Sequence, residues 1–202
     1  MPGKLFIVSA PSGAGKTTLV RALLHADSAV RLSVSYTTRA MRVGEIAGKH
    51  YHFVSAAEFE AMRGAGDFLE SATVHGNSYG TSRHWVESRM AEDSDILLEI
   101  DWQGAQQVKS LMPEAVSIFI LPPSLEALSQ RLSHRATDTP EVIGRRLEAA
   151  RSEIAHVSEF DYVILNNDFD EATRDLIAIV RAERLRLPSQ LARHGDLINR
   201  MK

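Results

Sequence analysis

The chain of 202 residues contains no cysteine, which excludes disulfides and thiolate metal sites and suits a reducing compartment. Long apolar runs are missing as well. Leu5 to Val8 is far too short to span a bilayer, and the start Met1-Pro2-Gly3-Lys4 lacks the apolar region of a secretion signal. A soluble cytoplasmic protein is expected. No block of one charge sign is present: 23 Lys and Arg against 26 Asp and Glu leave a net charge of −3. Neither a nucleic-acid nor a membrane partner is therefore expected, and any anion site has to be local. The eight histidines show no metal-ligand spacing, and there is no internal repeat or low-complexity tract.

What is present is an ordinary globular composition, 44% hydrophobic and 24% charged, of a length that fits one compact domain. Short apolar runs alternate with helix-like stretches, the α/β pattern. Leu5 to Val8, Asp95 to Asp101, Val116 to Leu121 and Tyr162 to Leu165 read as buried strands of a parallel sheet covered on both faces. The stretch from about Ser33 to Arg83 differs: it is richer in glycine, carries strand-like pieces such as His50 to Val54, and reads as a small, mostly β insertion. Within it Ser55-Ala56-Ala57-Glu58 has capping-box spacing and should open a helix. A helix from about Ser124 and another after Thr139-Pro140-Glu141 flank the polar connection Arg135 to Asp138. On the second of these, Ile143, Leu147, Ala150, Ile154 and Val157 form one apolar stripe. A last helix, roughly Glu171 to Leu187, should close the core.

Ala10-Pro11-Ser12-Gly13-Ala14-Gly15-Lys16-Thr17 fits the phosphate-loop pattern G-x-x-x-x-G-K-[ST], with Ala10 in place of the first glycine. Phosphates need many backbone N–H donors converging on a small volume, and glycine lets them approach. A strand before the loop and a helix after it place a helix N-terminus beneath the phosphates. Lys16 is expected to reach the β- and γ-phosphates, and the Thr17 hydroxyl to ligate Mg²⁺. In the insertion, Arg39 and Arg42 are three apart, a spacing that can clamp a dianionic phosphate with two planar forks of donors. Tyr51 and Tyr79 offer uncharged hydroxyl donors to the same group, or are simply half-buried aromatics.

The strings "SAPSGAGKTT", "SYTTRAMRVGE", "GKHYHFV", "FLESATVHGNSYGT", "LLEIDWQG", "RLSHRATDT", "RRLEAARSE" and "DYVILNND" together resemble the successive motifs of the guanylate kinases, in order, over about Leu5 to Val180. The resemblance implies a parallel-sheet P-loop kinase core (3–32, 84–124 and 160–187), a nucleoside-monophosphate-binding insertion (33–83) and a helical lid (125–159). The kinase-like domain is expected over 3–184 and a C-terminal extension over 188–202. It further implies transfer of the ATP γ-phosphate to GMP or dGMP with Mg²⁺.

By the same resemblance Glu70 and Asp101 are the guanine-side carboxylates, Ser35 and Thr81 the hydroxyls, and Arg39, Arg42, Tyr51 and Tyr79 the binders of the GMP phosphate. That set suits guanine, whose N1–H and N2–H₂ donors call for a carboxylate and whose O6 calls for a donor. Adenine would meet mismatched polar groups. Asp101 could also cap the following helix or help to organise Mg²⁺. Arg131, Arg135 and Arg146 match the lid arginines, and Asn167 lies where the family approaches the adenine ring. Met41 and Ala136 depart from the family's usual proline and glycine. A GTPase should carry an Asn-Lys-x-Asp guanine reader, and Asn166-Asn167-Asp168-Phe169 is not one. A catalytically silent scaffold of the same fold should have lost Lys16 or the clamp arginines.

Overall fold

The computed structural model describes residues 3–74, 76–133 and 140–202. Arg135 and Ala136 lie outside the described residues. In chain order the elements are β1 (Leu5–Ser9), α1 (Lys16–Ala26), β2 (Val30–Leu32), β3 (Tyr36–Thr37), β4 (His52–Phe53), α2 (Ala56–Ala65), β5 (Phe68–Val74), β6 (Asn77–Ser82), α3 (Arg83–Ala91), β7 (Asp95–Glu99), α4 (Trp102–Leu111), β8 (Val116–Leu121), α5 (Leu125–Ser133), α6 (Pro140–Ile154), β9 (Tyr162–Leu165), α7 (Phe169–Leu185) and α8 (Leu187–Arg200). A turn of 3-10 helix at Val157–Glu159 follows α6.

Five strands form a parallel sheet in the order β2-β7-β1-β8-β9. β1 lies at its centre, and the alternation of its side chains joins two cores. Phe6 and Val8 pack with Leu19, Val20 and Leu23 of α1 and with Leu176 and Val180 of α7. Leu5 and Ile7 face the other way, against Val86 of α3 and Val108 of α4. A strand apolar at every position is what a sheet covered on both faces demands. The fold is thus the α/β class expected, with one correction. β9 is an edge strand in which Ile164 is buried while Val163 and Leu165 are exposed, because it has a neighbour on one side only.

The second sheet, β4-β3-β6-β5, is built by the insertion. Its strand pieces are shorter than the sequence suggests, since only His52 and Phe53 of His50 to Val54 enter the ladder. The capping box at Ser55 and Glu58 is formed in both directions. This sheet is tied to the core through α4, where Gln107 exchanges two hydrogen bonds with the Ser71 backbone, at 3.1 Å and 2.9 Å. α5 and α6 pack through Leu128, Leu132 and Ala150, with Ile143 and Leu147 against them.

The last helix also differs from expectation. α7 stops at Leu185 because Pro188 has no N–H for the carbonyl of Arg184. The Gln190 side chain bonds that carbonyl instead, at 2.8 Å, and a separate helix, α8, follows without a buried residue.

Candidate active site

The phosphate loop leaves the carboxyl end of β1 and runs into α1, the place where open α/β sheets hold ligands. Gly15, at the start of α1, has φ +96 and makes no side-chain cap. The first-turn amides of α1 are thereby left to a ligand. A side chain at Gly15 would be strained by that φ, and its Cβ would also lie 2.4 Å from Asn166 Nδ2. Asn166 itself is buried and donates to the Ala14 carbonyl at 2.7 Å. Asn166 thus backs the loop from the end of β9, whereas Asn167, the residue singled out by resemblance, is exposed.

Lys16 Nζ donates to the Ile100 carbonyl at 3.0 Å, and the Thr17 hydroxyl donates to the Glu99 carboxylate. Glu99 was not singled out from sequence. Its signal was an acidic residue closing the apolar run of β7, the strand beside β1.

A cavity of about 310 Å³ opens over the loop, and its wall joins the two sheets. Ala10, Pro11, Ser12, Gly13, Gly15, Lys16 and Thr17 line one side, and Ser35, Tyr51, Glu70 and Tyr79 the other, with Glu99, Asp101 and Glu153 between. Arg39, Arg42, Arg131, Arg146, Thr81 and Ala14, also expected at the site, do not line it. Asp101 caps α4 by accepting from Gly104 N at 2.9 Å and lines the cavity at the same time.

Glu70 on β5 and Thr81 on β6 are register partners, so their side chains leave the sheet on one face. Thr81 Oγ1 donates to Glu70 Oε1 at 2.6 Å, and Glu70 is only 4% exposed. Burial pushes its carboxyl up to about 7; the Thr81 hydrogen bond opposes this and the charge of Asp101 adds to it. α4 can come this close because residue 104 is glycine: a Cβ there would lie 2.5 Å from Glu70 Oε2.

Around Arg39 the insertion assembles a cationic corner. Its guanidinium lies over the Tyr51 ring, 5.3 Å from the centroid, and is held by Glu45 at 2.7 Å; Glu45, foremost, and Tyr79 raise its pKa. Burial raises the Tyr51 phenol as well, which keeps that hydroxyl a neutral donor. Arg42 is exposed and meets this corner through its backbone, its amide donating to the Glu45 carboxylate at 2.7 Å and its carbonyl accepting from Glu45 N at 3.1 Å.

From the lid, Arg146 Nη2 donates to Ser12 Oγ at 2.7 Å, while Arg145 is exposed. Arg131 Nη2 donates to the Asn166 carbonyl at 3.0 Å and Nη1 reaches the Ala14 carbonyl at 3.5 Å. Glu153 of α6, which no sequence motif marks, enters the cavity wall near Lys16 and Asp101, and burial raises its carboxyl to about 7. One turn on, His156 stacks on Trp102 with centroids 3.5 Å apart.

A phosphate loop under a central parallel strand, facing a second polar cradle on an inserted sheet and overhung by arginine-bearing helices, defines the class of P-loop nucleoside monophosphate kinases. A family model described as guanylate kinase matches residues 2–183. The guanylate kinases of Methylobacillus flagellatus and Dechloromonas aromatica are 60% and 58% identical to this chain, each over the full length of both. A crystal structure of guanylate kinase from Anaplasma phagocytophilum superimposes with a TM-score of 0.78 at 37% identity, covering 92% of this chain and 88% of that one. The chain belongs to the guanylate kinase family.

Proposed function

We propose that the protein catalyses ATP + GMP ⇌ ADP + GDP, with dGMP as a second acceptor. The observation that carries this reading is the single cavity in which the phosphate loop faces the buried Glu70, itself hydrogen-bonded to Thr81.

In this reading the loop from Ala10 to Thr17 cradles the triphosphate and Lys16 turns from the Ile100 carbonyl to the β- and γ-phosphates. Glu70 accepts from guanine N1–H and N2–H₂, with Asp101 beside it, and Thr81 and Ser35 supply hydroxyls. Adenine would set its N1 acceptor against a carboxylate, leaving buried polar groups unmatched. Arg39, Arg42, Tyr51 and Tyr79 take the GMP phosphate. Arg131, Arg135 and Arg146 bring positive charge to the equatorial oxygens of the transferring group. Asn167 approaches the adenine ring.

The oxygens around Thr17 suit a hard divalent cation: its hydroxyl, the Glu99 carboxylate joined to it, and Asp101 in the same wall. We assign Thr17 and Glu99 to hold the Mg²⁺ that accompanies ATP, whose charge offsets that of the β- and γ-phosphates. A general base is not needed, since the phosphate of GMP is ionised near neutral pH and attacks once aligned. We place the reaction in the cytoplasm, which the cysteine-free chain suits. Among the described residues no helix is long and apolar enough to cross a membrane.

Release of ADP measured with each nucleoside monophosphate tests the reading. GMP is expected to support turnover and AMP to fall short by at least about 10³-fold. Lys16→Met is expected to lower turnover by about 10²-fold or more with an unchanged thermal transition. Equal rates with AMP, or a Lys16→Met variant as fast as the parent, would overturn it.

A further inference from the structure

We propose that Glu45 is a positioning residue for the GMP phosphate: its carboxylate holds the Arg39 guanidinium in the orientation in which Arg39 receives that phosphate. The inference rests on the assignment of Arg39 to the phosphate of GMP.

Arginine carries five N–H donors in a planar fork. Arg39 Nη2 donates to Glu45 Oε1 at 2.7 Å, and Nη1 to Glu45 Oε2 at 3.2 Å and to the Ala40 carbonyl at 2.8 Å. One edge of the fork is thus occupied by a two-point carboxylate contact. The plane rests on aromatic rings, with Tyr51 at 5.3 Å and Phe53 at 5.8 Å. The Tyr79 side chain lies near enough to help raise the pKa of the guanidinium, after Glu45.

The carboxylate is itself fixed. Arg42 N donates to Glu45 Oε2 at 2.7 Å, and Glu45 N donates to the Arg42 carbonyl at 3.1 Å, so the turn from 42 to 45 closes on itself.

An exposed ion pair would carry no such argument, since solvent screening and side-chain entropy cancel most of its worth. Here the side chains are 12% and 17% exposed, the contact is bidentate, and a backbone amide sets the carboxylate in advance. The Arg39 hydrogen bond, the largest cause, holds Glu45 below the usual carboxylate range, so the pair stays ionic near neutral pH.

Position decides between help and competition. Tyr51 and Tyr79 line the nucleotide cavity, neither Arg39 nor Glu45 does, and the Arg39 guanidinium reaches the wall through the Tyr51 ring on which it rests. In the proposal the phosphate meets the fork on the side of the two tyrosines and leaves the carboxylate in place. Arg39 is then ordered before GMP arrives. A long side chain that must be ordered on binding forfeits about tenfold in affinity.

The test compares Glu45→Ala, Glu45→Gln, Arg39→Ala and the double variant, reading KM for GMP, kcat, and the binding of guanosine, which has no phosphate. Both Glu45 variants are expected to raise KM for GMP about tenfold while kcat and guanosine affinity hold. In the Arg39→Ala background, removing Glu45 should add nothing further.

If Arg39→Ala leaves KM for GMP unchanged, the assignment of Arg39 falls and the inference with it. If Arg39→Ala raises KM and the Glu45 variants do not, the role of Glu45 alone is overturned. A lower KM in Glu45→Ala would make the carboxylate a competitor, and an equal loss of guanosine binding would make it merely structural. Either result overturns the proposal.

Discussion

Glu70 is a carboxyl whose ordinary value near 4.5 is pushed up to about 7 by burial, and in the proposed function guanine offers it two N–H donors. Binding therefore favours the ionised form, so guanosine should drive a proton off Glu70 wherever the free protein still holds it. At about pH 6.5, calorimetry of guanosine in buffers of different ionisation enthalpy should show net proton release, and affinity should rise with pH until it levels off above about 7. Glu70→Gln should abolish the release. Affinity that is flat through this range, with no proton released, would contradict the role of Glu70.

The sign for folding runs opposite to that of a paired carboxylate. A carboxyl with a raised folded value binds protons more tightly than in the unfolded chain. Stability should thus fall as pH rises from about 4.5 through 7, and Glu153, raised to about 7 by burial, contributes in the same sense.

Among the elements, those written in local sequence were legible. The phosphate loop, the capping box of α2 and the central strands each depend on a few adjacent residues. The partnerships that depend on chain folding were not. Glu99 lies 82 positions from Thr17, and nothing near either residue announces their contact. Asn166 and Asn167 look alike in sequence, and only the burial of the first at the end of an edge strand separates them.

The α5–α6 pair, the lid of the proposed reading, belongs at this scale too. Its second helix, α6, ends on the stack of His156 over Trp102, and His156 Nδ1 lies 2.7 Å from Glu159 Oε1. Trp102 opens α4 directly after Asp101, so one contact joins the end of α6 to the start of α4. Trp102→Ala should speed amide exchange in α6 while the strands of the parallel sheet keep their protection. Unchanged exchange in α6 would mean that the apolar contacts of α5 and α6 alone fix the lid.

For the molecule as a whole, the alternation of apolar runs and helix-like stretches indicates the α/β class, and the glycine-richer stretch from Ser33 to Arg83 the second, mostly β unit. The joining of two sheets through α4 is a tertiary fact. It requires Gln107 on the Ser71 backbone and a glycine at 104 that lets the helix approach Glu70, and neither residue has a meaning until the sheets are placed. That joining sets the phosphate loop across one cavity from Glu70, Tyr51 and Tyr79 of the inserted sheet, where the proposed function places the two phosphates.

An adenosine and a guanosine linked through a pentaphosphate bridge would occupy both cradles at once. Titrated against the protein, it should bind at least about 10²-fold more tightly than GMP or ATP alone, because the second half binds at high effective concentration. The matching diadenosine compound should show no such gain. A linked compound that binds no better than its halves would mean that the cradles do not face each other.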